Sequence, residues 1–484
     1  MSRLTSLTIL AALALAAWGA PRAPKGGEVR LAYADLVKLV DGTVCKDRKS
    51  WGGKCAPEPV KVQAEGGGGE LVAKCPGCLS GLKVKGARVT GKLLTTQPGG
   101  EVDFVTDAPS AADLAENVVA KLGAYFDSHF FAKAARPRGL ATDGKGNLLV
   151  ADFGTGKNDG RVWLIDLKQP AAKGLTATPA EGKPLADGLP SAAFMTDFQG
   201  QPFKAVVGLA AVRAEGATLY GVVNRLYGKG DTPVPGLENI PVASLLRIDA
   251  GGAPARSDAP ASANRLAADT AAARFTPVAS LLDFETRNDP DKDGVECNPF
   301  DLALRGGYVY VTDSGGNSVV RVDPRTGRET LYAVFAEIPN PRQAETGKRT
   351  IDPVPSGMEF GPDGALYVAY VSGFPFAQGN AGVYRLADAN GDGDALDPGE
   401  MTVAVSGLTM ASDVTLDAKG QMYTSENSLD FFKQAPGRIC KIRDGKCAVT
   451  LTDRAVSPTG IVVVGEHLYY AQEFMGLVGR VALR

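Results

Sequence analysis

The feature that most restricts what this chain can fold into is a repeat. Residues 355–373 read PSGMEFGPDGALYVAYVSG: a glycine, a short apolar alternation, a glycine-bearing turn, and a second apolar run with a polar end. The same grammar returns as PRGLATDGKGNLLVADFG from Pro137, VGLAAVRAEGATLYGVVN from Val207, PFDLALRGGYVYVTDSGG from Pro299, ASDVTLDAKGQMYTSENS from Ala411 and PTGIVVVGEHLYYAQEF from Pro458. A third apolar run follows (GRVWLIDL, ASLLRIDA, NSVVRVDP, AGVYRLAD, GRICKIRD, GLVGRVAL), and then a fourth, as in ETLYAVFA and MTVAVSGL. Short period-two runs separated by turn residues read as antiparallel strands. The 59 glycines and 31 prolines among 484 residues suit many tight turns.

Anchored on Gly139, Gly208, Asp301, Gly357, Asp413 and Gly460, successive copies lie 69, 93, 56, 56 and 47 residues apart. Four short strands per unit, repeated in this way, predict an all-β fold: a six-bladed β-propeller over residues 121–484. The chain ends at Arg484, just after the third strand of the last copy. The missing strand is expected from AYFDSHFFAKAA, residues 124–135, which would close the ring and remove an exposed edge.

Residues 1–20 carry one arginine, an apolar run and then small residues, the pattern of a secretory signal peptide and too short to span a membrane. Cleavage after Ala16 and after Ala20 both remain open. Residues 21–120 form a small appended module of uncertain fold. Its one clear helix is PSAADLAENVVAKLGAYF, with Ser110 as N-cap and Leu114, Val118 and Leu122 on its apolar face. Export to a bacterial periplasm, envelope or medium permits disulfides among the seven cysteines. Cys440 and Cys447 flank an Asp-Gly turn and are the sharpest pair. Cys45 with Cys55 and Cys75 with Cys78 are local candidates, and Cys297 is left without an evident partner. A net charge of −2, with no concentrated basic surface, excludes a nucleic-acid binder.

In a propeller, the openings of first strands and the ends of second strands meet on one face, where a small-molecule ligand or a protein partner is expected to bind. The second-strand ends align as Asp152, Val223 (with Asn224 next), Asp313, Tyr370, Glu426 and Gln472. From these, Asp152, Asn224, Asp313, Tyr370, Glu426 and Gln472 are the candidate ligand-binding residues. The glycine that opens four first strands is replaced by Asp301 and Asp413 in the other two. Two readings compete: these acids cap turns and bond to neighbouring blades, or Asp301, Asp413 and Asn298 hold a divalent ion. Two acidic loops resemble calcium loops. DANGDGDALDPGE offers Asp388, Asn390 and Asp392, with Glu400 one residue late for closure; DPDKDG offers Asp289, Asp291 and Asp293, with Asp301 late. The two histidines, His129 on the closing strand and His467 in a turn, suggest no triad.

RPRGLATDGKGNLLVADFGTG, LLDFETRNDPDKDGVECNPFDLAL and ALYVAYVSGFPFAQGNAGVYRL together resemble the ScyD/ScyE family of exported propellers, over roughly residues 125–484. More broadly, the units are similar to gluconolactonase-like propellers. That wider resemblance implies a divalent metal at the mouth, with Asp413 matching its strand-opening aspartate. The first-blade glutamate of those enzymes has no counterpart, because the turn here reads PRG. The expected function is a binding scaffold. The alternative is a metal-dependent lactonase or esterase in which Glu426 handles protons.

Overall fold

The computed structural model describes residues 29–44, 60–63, 70–73, 79–94, 101–122, 131–168, 180–198, 201–225, 242–249, 275–433 and 435–483. The signal peptide, His129, Cys45, Cys55, Cys75 and Cys78 lie outside the described residues. Two compact units are present, one of residues 17–132 with 169–180 and the other of residues 133–168 with 181–484.

In the first unit, strands Leu79–Lys85, Arg88–Leu94 and Glu101–Asp107 run antiparallel, and Val29–Arg30 adds in parallel to the last. The expected helix begins at Ala111, continues as a π-turn at Ala115–Val119, and is capped by Ser110 Oγ accepting the Asp113 N–H at 3.1 Å. Leu114, Val118 and Leu122 are buried together with Leu36, Leu39, Val40, Val89, Leu93 and Phe104, so this module has a core of its own.

In the second unit, six sheets of four or five strands follow one another along the chain among the described residues, with the two-stranded pairs Ala192–Phe198/Gln201–Val207 and Ile338–Pro339/Thr350–Ile351 between them. Sheets 1 to 5 each contain four strands in sequence order and open on Pro137–Thr142, Leu209–Glu215, Pro299–Arg305, Pro353–Phe360 and Ala411–Leu416. Sheet 6 holds Pro458–Val464, His467–Gln472 and Leu477–Ala482, and its next place is taken by Ala132–Lys133, inside the segment expected to close the ring. His467 starts a strand instead of sitting in the turn, which is completed by Gly465 at φ +59°.

The opening strands are neighbours in cyclic order, sheet 6 returning to sheet 1. Side-chain hydroxyls stitch them together. Thr312 donates to the Ser356 carbonyl (2.7 Å), Ser356 to Ala411 (2.8 Å), Ser412 to Pro458 (2.8 Å) and Thr459 to Arg138 (2.9 Å). Each bond satisfies a backbone carbonyl on the opening strand of the adjacent sheet. Between sheets the core is filled by apolar residues such as Val222, Leu245, Leu302, Val311 and Val320. This is the arrangement of a β-propeller.

The hairpin of Gly437–Arg443 with Lys446–Ala455 turns at Asp444 and Gly445, both left-handed (φ +51° and +66°), as a two-residue turn of this hand requires. It carries the Cys440–Cys447 disulfide; Cys297 is a free, buried thiol. Replacing Cys440 by serine is expected to destabilise the protein by about 2 kcal/mol, the loop-closure entropy of so short a loop. Denaturant midpoints of wild type and variant that coincide under oxidising conditions would contradict this.

Candidate functional site

The residues at second-strand ends share one structural task. Asp152 accepts the backbone N–H groups of Ala135 (2.9 Å), Arg136 (2.8 Å) and Gly154 (2.9 Å) and the Trp163 indole N–H (2.8 Å). Asn224 accepts Gly208 N–H (2.9 Å), Asp313 accepts Asn298 N–H (2.6 Å), Glu426 accepts Thr409 N–H (2.5 Å), and Gln472 accepts Val456 N–H (3.1 Å). In each case a backbone donor lies in the segment that leads into the opening strand of the same sheet, and for Asp152 the Gly154 and Trp163 donors are added from beyond its own strand end. These side chains tie the rim together, and all are buried. Glu426 is further committed by an ion pair with Arg438. Tyr370 is not a strand end, because its strand runs on to Ser372; its ring stacks on Tyr384 at 4.7 Å. The Asp152, Asp313, Glu426 and Gln472 side chains thus serve the backbone as buried acceptors, whereas the buried Asn224 Nδ2 has no hydrogen-bond partner among the described residues.

Asp301 and Asp413 repeat a single geometry. Asp301 Oδ2 accepts Met358 N–H from sheet 4 at 2.9 Å, and Asp413 Oδ2 accepts Ile461 N–H from sheet 6 at 2.7 Å. Each therefore bridges to the residue after the opening glycine of the next sheet, Gly357 or Gly460. A Cβ on Gly357 would land on the Asp413 carboxylate, which is why that position tolerates no side chain. Asp413 also accepts its neighbour Val414 N–H at 2.8 Å. The positive charge facing Asp301 is the Arg213 guanidinium at 3.1 Å. Burial, and then the charge of Asp301, push the Asp413 carboxyl well above the usual carboxylate range. The same axis holds Glu359, whose carboxyl is raised by burial and which accepts Leu416 N–H at 3.1 Å. Asn298, the third ligand expected at the mouth, instead accepts Arg225 N–H at 3.2 Å.

In the loop after sheet 4's third strand, Asp388 accepts Gly391 and Gly393 N–H groups (2.7 and 3.0 Å), Asn390 accepts Asp392 N–H (2.9 Å), and Asp392 accepts Asp394 N–H (3.2 Å). Glu400 is buried and accepts Ala389 N–H at 2.8 Å and Asp397 N–H at 3.2 Å, closing the loop from inside. Among the described residues, the three acids whose oxygens lie within 4.8 Å of one another are Glu285, Asp289 and Asp291.

Two features were not legible in the repeat. Arg138, in the PRG turn, is 3% exposed and lies over the rings of Phe153 (5.0 Å) and Phe300 (4.6 Å). It meets buried Glu473 at 2.9 Å, and Arg136 meets the other oxygen at 2.6 Å. Burial lowers the Arg138 pKa and Glu473 opposes that shift. The second feature is aromatic. Phe300, Val354, Val371, Phe376, Met410 and Phe431 form a buried cluster drawn from strand openings and second-strand exits. Phe374 (44% exposed) and Phe432 (51% exposed) extend it to the surface, 6.3 Å apart edge to face, with Arg342 over the Phe432 ring at 5.7 Å. The sequence signal was the clustering of phenylalanines in SGFPF and DFF, residues 372–376 and 430–432.

No helix among the described residues is long and apolar enough to cross a membrane. No family model matches the sequence, and no curated protein matches it. Among solved structures, the chain is similar to regucalcin, a calcium-binding protein from Agrobacterium tumefaciens (12% identity, 74% of this chain and 93% of that one, TM-score 0.39). It is also similar to a gluconolactonase-like protein (11%, 74% and 91%, TM-score 0.38) and to the PQQ-bound aldose sugar dehydrogenase of Streptomyces coelicolor (12%, 73% and 96%, TM-score 0.37). The chain is a β-propeller protein, an assignment carried by its own sheets.

Proposed function

We propose that the protein is an exported, six-bladed propeller of the ScyD/ScyE type that acts as a binding scaffold, taking a small-molecule ligand or a protein partner on the face where second strands end. The observation that carries this reading is the pair Phe374 and Phe432, two exposed rings continuous with the buried cluster of Phe300, Phe376 and Phe431. Exposed aromatic rings anchored on a packed base are the usual nucleus of a binding surface. The Cys440–Cys447 disulfide suits the oxidising compartment that export implies. The hydrolase alternative requires a divalent ion at Asp301 and Asp413, where Arg213 and backbone N–H groups already face the carboxylates.

The test is a thermal-shift and peptide-array screen of the mature protein, repeated with Phe374→Ser/Phe432→Ser. Met195→Ser, at another exposed apolar residue (66%), serves as control. Hits are expected to weaken at least tenfold in the phenylalanine variant and to persist in the control. Hits unaffected by both variants would overturn the assignment of this face.

A further inference from the structure

The helix Leu281–Asn288 links sheet 2 to sheet 3, is capped by Ser280, and ends at Asp289 in a left-handed turn (φ +40°). That turn brings Asp289 and Asp291 back onto the last turn of the helix, where Glu285 sits four residues before Asp289. The three carboxylates come within 4.8 Å of one another. Acidic clusters alone mean little, but this one contains a buried carboxyl group that no side chain holds. Glu285 is 1% exposed, and among the described residues no side chain donates to either of its oxygens. On the facing side is the turn between the second and third strands of sheet 3. Gly316 there has no Cβ to fill the space, since one would strike the Glu285 carboxylate. The next residue, Asn317 (5% exposed), donates Nδ2–H to Asp291 Oδ2 at 2.8 Å and leaves its buried Oδ1 unpartnered. Asn317 has φ +45°, a left-handed conformation that asparagine adopts more readily than most residues. Which end of an amide faces a neighbour is set by the hydrogen-bond network, so a 180° turn of this amide places its oxygen on the acids.

We infer that Glu285, Asp289, Asp291 and the Asn317 side-chain oxygen bind a calcium ion that fastens the inter-sheet helix to sheet 3. The donor set is all oxygen, which suits a hard cation and disfavours zinc or copper. Calcium is the choice among hard cations because it accepts several carboxylates in irregular geometry, whereas magnesium demands a near-ideal octahedron and retains water. DPDKDG, read from sequence as Asp289, Asp291 and Asp293 with a late closing acid at Asp301, thus takes its closing acid from upstream at Glu285, because Asp301 is held by Arg213 and Met358 N–H; Asp293 is not in the cluster.

The experiment uses the full mature chain, stripped with chelator and titrated with calcium chloride alone, followed by calorimetry and by thermal melting. Glu285→Gln is expected to lose one equivalent of bound calcium per chain and the calcium-dependent rise in Tm; Glu345→Gln, at an exposed acid outside both acidic loops, should keep both. If Glu285→Gln fails to fold, Asp289→Asn, at a partly exposed side chain, is expected to weaken the same equivalent at least tenfold. A wild-type chain that takes up no calcium, or variants at residues 285 and 289 with unchanged stoichiometry and unchanged Tm rise, would overturn the inference. Binding at the phenylalanine face is read separately and does not depend on this result.

Discussion

Arg138→Met is expected to lower the stability of the propeller unit by about 3–5 kcal/mol, the size of effect seen when one partner of a buried ion pair is removed. The guanidinium is enclosed by Phe153 and Phe300 and bound to Glu473, which has essentially no contact with solvent. Methionine fills much of the volume but leaves Glu473 with only Arg136. The double variant Arg138→Met/Glu473→Gln is expected to recover a substantial part of the loss, since it removes the stranded charge. Denaturant unfolding of the two single variants and the double variant measures this as a cycle. Additive losses in the double variant would show that the pair contributes through packing alone.

Asp413→Ala is expected to cost about 2–4 kcal/mol, because it leaves the buried N–H groups of Ile461 and Val414 without acceptors. The metal content of the protein should not change, as Asp413 works here as a bridge between sheets. Loss of a bound divalent ion on this substitution would revive the metal reading of the mouth. Asp413→Asn separates charge from shape. With its carboxyl pushed well above the ordinary 3.8, the folded state keeps a proton that the unfolded chain releases. Stability from this group is therefore full below about pH 4 and falls as pH rises through the raised pKa. The stability advantage of wild type over Asp413→Asn should shrink with rising pH; a constant difference from pH 4 to 9 would contradict this.

Much of this fold is written in local pattern. The Asp444–Gly445 hairpin follows from the only residues that take left-handed φ with ease, and Ser110 caps its helix by a contact three residues long. The alignment of Asp152, Asn224, Asp313, Glu426 and Gln472 was also visible, but their work was not. As a second-strand end they could have faced a ligand or the backbone, and the direction of a side chain at a rim is decided by which donors the next segment brings. The substitution of glycine by Asp301 and Asp413 marked two special positions without naming their partners, which lie 57 and 48 residues away on other sheets.

The sequence by itself determined the strands, their turns and their grouping into repeated sheets, because period-two burial and turn chemistry act over a few residues. Only the tertiary structure decided which charges meet. Arg138 reaches Glu473 across 335 residues because the ring closes sheet 6 onto sheet 1. Glu285 joins Asp289, Asp291 and the turn at Asn317 because a helix end folds back against a neighbouring sheet. Local pattern fixes where a side chain sits along its own strand, whereas its partner is set by the packing of whole sheets, a long-range property that no short window of residues contains.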